Sequence, residues 1–118
     1  MREPHKDPKR LADILEAIDN IFQYVGNDDM EAFVADHMRY HAVVYNIMII
    51  GEAANMLTKD FRDEHPEVPW RDIIDMRNVL VHGYYVASPR FVWETYTKDL
   101  VYLKERVDAY IGDFRKDD

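Results

Sequence analysis

The 118-residue chain contains no cysteine, which excludes disulfide staples, zinc–thiolate knuckles, iron–sulfur clusters and thiol nucleophiles. Cations are in short supply, with 15 Lys and Arg against 23 Asp and Glu for a formal charge of −8. This balance argues against a diffuse, charge-driven coating of nucleic acid or an anionic membrane, and any phosphate chemistry falls to a few placed cations. Long apolar runs are missing too. On the central helix the longest stretch free of Asp, Glu, Lys and Arg is Tyr40 to Gly51, well short of the ~18–20 residues that cross a bilayer. The first residues, Met1-Arg2-Glu3-Pro4-His5-Lys6-Asp7-Pro8, are polar and hold no apolar stretch of the kind a signal sequence needs. The expectation is a cytoplasmic protein with no membrane partner.

Glycine and proline, four and five residues, act as sparse punctuation, and the segments between them read as helix. Apolar residues at 47% and charged ones at 32% fit one folded domain spanning residues 1–118 rather than a disordered chain. Asp7-Pro8 reads as an N-cap followed by proline in the first turn. Leu11, Ile14, Leu15, Ile18, Ile21, Phe22 and Val25 then recur at helical spacing until Gly26. Asp28 with Glu31 resembles a capping box that opens a short helical turn through Ala35. Asp36 is placed to cap a long helix to about Lys59. Its apolar positions (Met38, Val43, Val44, Ile47, Met48, Ile50, Ala54, Leu57) wrap far enough round to require packing on more than one side. His65-Pro66-Glu67-Val68-Pro69 is a connector, and Trp70 to about Val81 is the next helix, with Gly83 placed to end it. Ser88-Pro89 opens the last helix, whose stripe is Phe91, Val92, Thr95, Tyr96, Leu100, Leu103, Val107, Tyr110 and Ile111, and residues 116–118 read as a frayed tail. The fold class is all-α, an up-and-down bundle of four main helices plus a short helical turn.

Chemistry concentrates in Met76-Arg77-Asn78-Val79-Leu80-Val81-His82-Gly83-Tyr84-Tyr85. At ~100° per residue, Asn78 and His82 share a helix face, and Arg77 would align with Tyr84 if the helix ran on through Gly83. Arg forks onto phosphate oxygens, and His moves protons near neutral pH. Together they are the minimum for cleaving an RNA phosphodiester without a metal, one group taking the 2′-hydroxyl proton while a cation holds charge on phosphorus oxygens. The same residues near a helix end also serve as ordinary caps and surface groups. Acid–base work wants two proton carriers, and a two-fold dimer with this segment at its interface would supply the second.

Outside this segment, a few other residues have chemical potential. Glu52 interrupts the most apolar part of the central helix, where a carboxylate either pairs with a cation, for which Arg77 is the candidate, or lies on a polar strip facing water. Its neighbour Gly51 is expected to admit a close-packed helix at ~1 kcal/mol in propensity. His37 and His41 have a spacing that can hold a metal, but no third ligand is evident, so solvated or capping roles and no metal site are expected. Eight Tyr, five Phe and two Trp point to core and dimer-interface packing. Tyr40 and Tyr45 could stack on RNA bases, with core packing the default.

A run of markers in order and register resembles the HepT-like family of small HEPN-domain proteins, the toxin half of HEPN/MNT toxin–antitoxin modules. The markers are Ile49-Ile50-Gly51-Glu52-Ala53-Ala54, His65-Pro66-Glu67-Val68-Pro69-Trp70, Met76 to Tyr84, Val92-Trp93-Glu94-Thr95 and Asp99-Leu100, and the likeness covers nearly the whole chain. The resemblance implies a HEPN-type bundle forming a homodimer whose two motif helices face one cleft. It implies ribonuclease residues Arg77 and His82 acting without a metal ion, with Asn78 in the motif's polar position; no cofactor is expected, and Glu52, if it pairs with Arg77, would be a supporting group that orients it. It also implies a nucleotidyltransferase antitoxin partner that silences the toxin by adding AMP to Tyr84. Gly83 and Tyr85 flank that tyrosine where many members carry an acidic or polar residue and Phe; Tyr85 offers a second hydroxyl, and register favours Tyr84. The reading from a different class is a non-catalytic dimeric helical module that binds a nucleotide or a nucleotidyltransferase through the same pocket.

Overall fold

The computed structural model describes residues 4–82 and 88–116. A short 3-10 turn, Pro4–Lys6, leads into α1 (Asp7–Val25), followed by α2 (Met30–Ala35), α3 (His37–Met56), α4 (Lys59–Glu64), α5 (Trp70–His82), α6 (Pro89–Glu94) and α7 (Leu100–Lys116). A π-helical turn, Thr95–Asp99, joins the last two into one continuous helix. Four long helical elements with α2 and α4 as short connectors make an all-helical bundle. No strand occurs among the described residues.

The core follows from the apolar stripes. Leu11, Ile14, Ile18 and Ile21 of α1, Ile47 and Ile50 of α3, and Leu103 and Val107 of α7 are fully or almost fully buried, each worth about 1.5–3 kcal/mol on leaving water. α3 lies between α1 and α5, and α1 packs in turn on α7. This arrangement explains why α3 is apolar nearly all round. Its open face still carries Met38, 85% exposed, and Tyr45, 63% exposed. Neither belongs to the core expected of them, because neither α1 nor α5 covers that side.

Several ends are set as expected. Gly26 turns the chain at φ 59° while its N–H donates to Phe22 O, Asp36 accepts from Arg39 N, and Ser88 accepts from Phe91 N. Three expectations are corrected. Asp7 does not cap its own helix, for Lys6 holds the cap position. The buried Asp7 carboxylate instead accepts from Thr58 N at 3.0 Å and Thr58 Oγ1 at 2.8 Å, locking the start of α1 to the α3–α4 junction. The cap of α2 is Asp29, which accepts from Ala32 N, whereas Asp28 pairs with Arg39. The long helix stops at Met56, and Thr58 starts the separate α4 by accepting from Phe61 N.

The π turn was not anticipated. Buried positions in the last helix run Val92, Thr95, Leu100, Leu103 and Val107, and the step of five between Thr95 and Leu100 is one residue more than an α-helix allows on a constant face. The wider turn absorbs that residue and keeps both halves of the stripe on the core. Lys116 still belongs to α7 rather than to a frayed tail, while residues 117–118 and the helix stop at Gly83 fall on positions outside the described residues.

Candidate active site

α5 runs back along α3, and the two touch most closely at Gly51. A Cβ built there would fall within 3.0 Å of Arg77 Cβ, and would lie 3.1 Å from both Arg77 Cγ and Ile73 O. Only a glycine lets the α5 backbone settle this near, so Gly51 fixes how deep Arg77 sits. The Arg77 side chain then emerges beside Glu52, with Nε 3.1 Å from Oε2. Its Nη1 donates to Asn78 Oδ1 at 2.9 Å. The two readings of Glu52 meet here, since its side chain is 54% exposed and also paired with Arg77, itself 31% exposed. A guanidinium has five N–H donors, and one of Arg77's goes to Asn78, leaving an anchored fork that reaches the surface.

His82 is the last residue of α5. At 100° per residue, positions 71, 78 and 82 fall within about 40° of one another, and position 77 lies roughly 120° round from them. Arg77 therefore faces α3 while Asn78 and the His82 position share the adjoining open strip. Gly83, Tyr84 and Tyr85 lie outside the described residues. On α3, Met38, Tyr45 and Glu52 recur every seven residues and so line up on one strip as well.

The remaining candidates are placed as follows. His37 and His41 have ring centroids 6.5 Å apart, and the Tyr40 ring meets His41 edge-on at 5.7 Å. No group of three His, Asp or Glu able to hold a metal forms among the described residues. Tyr40 is half-buried against Phe33. A feature that sequence reasoning passed over is the open cleft of about 600 Å³ between α4 and the first turns of α5, with Asn55, Lys59, Arg62 and Arg71 on its walls. The available signal was the seven-residue step from Arg71 to Asn78.

Comparison with known proteins bears on the whole arrangement. The family described as Ribonuclease HepT-like matches residues 14–110, a span holding Glu52, Arg77, Asn78, His82 and Tyr84. A protein named "Probable ribonuclease HepT" from Thermococcus cleftensis is 37% identical over 108 residues, covering 92% of this chain and 96% of that one. A protein of Caldanaerobacter subterraneus subsp. tengcongensis, provisionally named an RNase, is 37% identical over 97 residues, or 82% of this chain and 87% of its own. Another provisional RNase, from Methanocaldococcus jannaschii, is 33% identical over 116 residues, with 98% and 96% covered. No solved structure matches the chain. No helix among the described residues is long and apolar enough to cross a membrane. With the family match spanning most of its length, the chain belongs to the ribonuclease HepT-like family.

Proposed function

We propose that the chain is a metal-independent endoribonuclease that works as a homodimer, the toxin of a toxin–antitoxin pair acting in the cytoplasm. The observation that carries this reading is the anchored Arg77. Gly51 sets its depth, Glu52 and Asn78 hold its guanidinium, and its fork reaches the surface beside the strip that ends at His82. A permanently charged fork in that setting suits a phosphate whose negative charge grows in the transition state.

In the proposed reaction His82 of one subunit takes the proton from a ribose 2′-hydroxyl as its oxygen bonds to phosphorus. The bond from phosphorus to the 5′-oxygen breaks, and the second subunit's copy of the same histidine returns a proton to the leaving oxygen. The products are a 2′,3′-cyclic phosphate and a 5′-hydroxyl. One chain carries one such imidazole, so pairing of two chains completes the acid–base set. The exposed Met38 and Tyr45, in line with Glu52 on α3, offer apolar surface for that pairing. Silencing would follow from transfer of AMP from ATP by a nucleotidyltransferase, the Tyr84 oxygen bonding to the α-phosphorus as pyrophosphate leaves and the phenol proton passes to solvent.

A labelled RNA oligonucleotide incubated with the protein in EDTA should yield cyclic-phosphate ends, and Arg77→Ala and His82→Ala should each lose that activity. Intact mass after incubation with the partner transferase and ATP should rise in AMP steps, with the first step absent in Tyr84→Phe. No cleavage by the wild type, together with nucleotide binding at the same surface, would favour the non-catalytic module instead.

A further inference from the structure

The α4–α5 cleft is locally basic in a chain of net charge −8. Lys59, Arg62 and Arg71 line it with Asp63 and Asp75 as its carboxylates. Lys59 is engaged by Asp63 at 2.6 Å, whereas neither Arg62 nor Arg71 has a carboxylate within salt-bridge distance among the described residues. Arg62 Nε is shut off from solvent and meets no acceptor. An incoming anion cannot reach that atom, but it meets two cleft-lining arginine side chains that no carboxylate among the described residues engages, and Arg71 is exposed.

The cleft lies along the same pair of helices as the Arg77 site, toward the start of α5. Asn55, one turn beyond Gly51 on α3, and Lys59, at the start of α4, both line the cleft, and Arg71 lies on the α5 strip of Asn78 and the His82 position, two turns before Asn78. The helical rise puts Arg71 about 9 Å from Arg77 along α5, the reach of a neighbouring phosphate on an extended strand or the one after it. Guanidinium groups hold phosphates bidentately and without regard to base.

We propose that Arg62 and Arg71, with Lys59 beside them, form a phosphate subsite that holds the backbone of single-stranded RNA to one side of the scissile bond. The proposal rests on the ribonuclease reading and says which way the substrate lies across the protein.

The test uses the full-length protein in a His82→Ala background, so that RNA survives, and a fluorescein-labelled single-stranded dodecamer read by anisotropy from low to high salt. Each phosphate contact contributes about 0.7 to the slope of log affinity against log salt. Arg62→Gln/Arg71→Gln should therefore lower the slope by about 1.4 and weaken binding near physiological salt by roughly tenfold or more. The control Lys9→Gln/Arg90→Gln removes the same charge from exposed positions elsewhere and should leave the slope in place. If the partly buried Arg62 is needed for folding, the exposed Arg71→Gln alone should lower the slope by about 0.7. With His82 intact, the cleft pair should raise KM for the dodecamer and leave a dinucleotide's kcat/KM unchanged. An unchanged slope, an equal loss from the control, or loss of transferase binding with RNA binding intact would each overturn the subsite. Binding that follows this pattern without any cleavage by wild type would instead remove the nuclease reading and keep the subsite.

Discussion

Replacing Gly51 with alanine sets two effects of opposite sign against each other at one position. In an ordinary helix interior the change stabilises by about 1 kcal/mol, because alanine has far less backbone freedom to lose. Here the new Cβ falls within 3.0 Å of Arg77 Cβ, and lies 3.1 Å from Arg77 Cγ and from Ile73 O. The closest of these is a carbon next to the backbone, so rotating a side chain cannot relieve the overlap. Restoring the ~3.5–4.0 Å of normal carbon contact moves α5 off α3 by more than about 1 Å. Overpacking of this kind costs about 1–3 kcal/mol. After the propensity gain, Gly51→Ala should be destabilised by roughly 0–2 kcal/mol in urea unfolding. The functional loss should be larger than the stability loss suggests. A displacement of 1 Å at a catalytic group costs on the order of 10²-fold in rate, so RNA cleavage should fall by that factor in protein that remains helical by circular dichroism. On an Arg77→Gly background the closest overlap is gone, and Gly51→Ala should then be close to neutral. A Gly51→Ala protein more stable than wild type and fully active would refute the close approach of α3 and α5.

Asp7→Ala leaves Thr58 N–H and Oγ1 without their buried charged acceptor, and hydrogen bonds to charge are worth about 1.5–3 kcal/mol; a urea midpoint unchanged from wild type would contradict the latch. Glu52→Gln should cost at most ~1 kcal/mol of stability, as exposed ion pairs do, yet lower kcat by loosening Arg77, which steady-state kinetics on RNA can separate. The hydroxyl of Tyr110 bonds the Glu67 carboxylate and holds it below the usual carboxylate range, while burial and Glu67 push the Tyr110 hydroxyl upward. A depressed carboxylate stabilises above its unfolded value of about 4.3, and the benefit is lost as pH falls through the folded value. A raised phenol stabilises fully below about 10 and loses that benefit at higher pH. Tyr110→Phe should therefore flatten both limbs of a stability–pH curve, and unaltered limbs would count against the pair. Deleting Thr97 should convert the π turn to α-helix and leave a folded protein, whereas deleting Lys104 rotates the remaining stripe by about 100° and should abolish cooperative melting.

Features that depend on neighbours in sequence were legible, and those that depend on distant partners were not. Asp36 and Ser88 cap helices through N–H groups three residues on, a distance that a sequence pattern encodes directly. Asp7 looked like the same device, but its partner is Thr58, 51 residues away, and a buried acceptor so remote has no local signature. Asp28 has the capping-box spacing to Glu31, yet its neighbour Asp29 takes the cap position of α2. The choice between them was made by Arg39, which takes Asp28 as one of its partners and also donates to Tyr24 O at 2.8 Å. The end of α3 was overrun because Ala54 and Leu57 continue its apolar period into the Thr58 corner. In the candidate site, the partnership of Glu52 with Arg77 could be anticipated because a carboxylate in an apolar stretch needs a cation. The Arg62 and Arg71 cleft had only the Arg71-to-Asn78 step to announce it, because its two walls meet only once the prolines of the connector turn α5 back past α4.

Net charge is a poor guide to what an approaching polyanion meets on this surface. Many of the carboxylates are matched to cations a few ångströms away: Asp13 to Lys9, Asp28 and Asp36 to Arg39, Asp63 to Lys59, Asp19 to Lys104, and Glu94 to Arg90. Such pairs are locally near neutral and project little field. Fields from exposed charges also fade over about 8 Å at physiological ionic strength, so an acidic patch across the molecule contributes little inside the α4–α5 cleft. The cations that matter are those without a carboxylate of their own, and Arg62 and Arg71 are of that kind among the described residues. Arg77 differs because Glu52 holds it, and that pairing lowers its appetite for stray anions while fixing its direction. A surface of this design discriminates by geometry. On the proposed reading, a lone phosphate would meet one tethered arginine, whereas a strand laid along α5 would meet three guanidinium groups at once, and only the strand would collect enough contacts to overcome the acidic remainder of the chain.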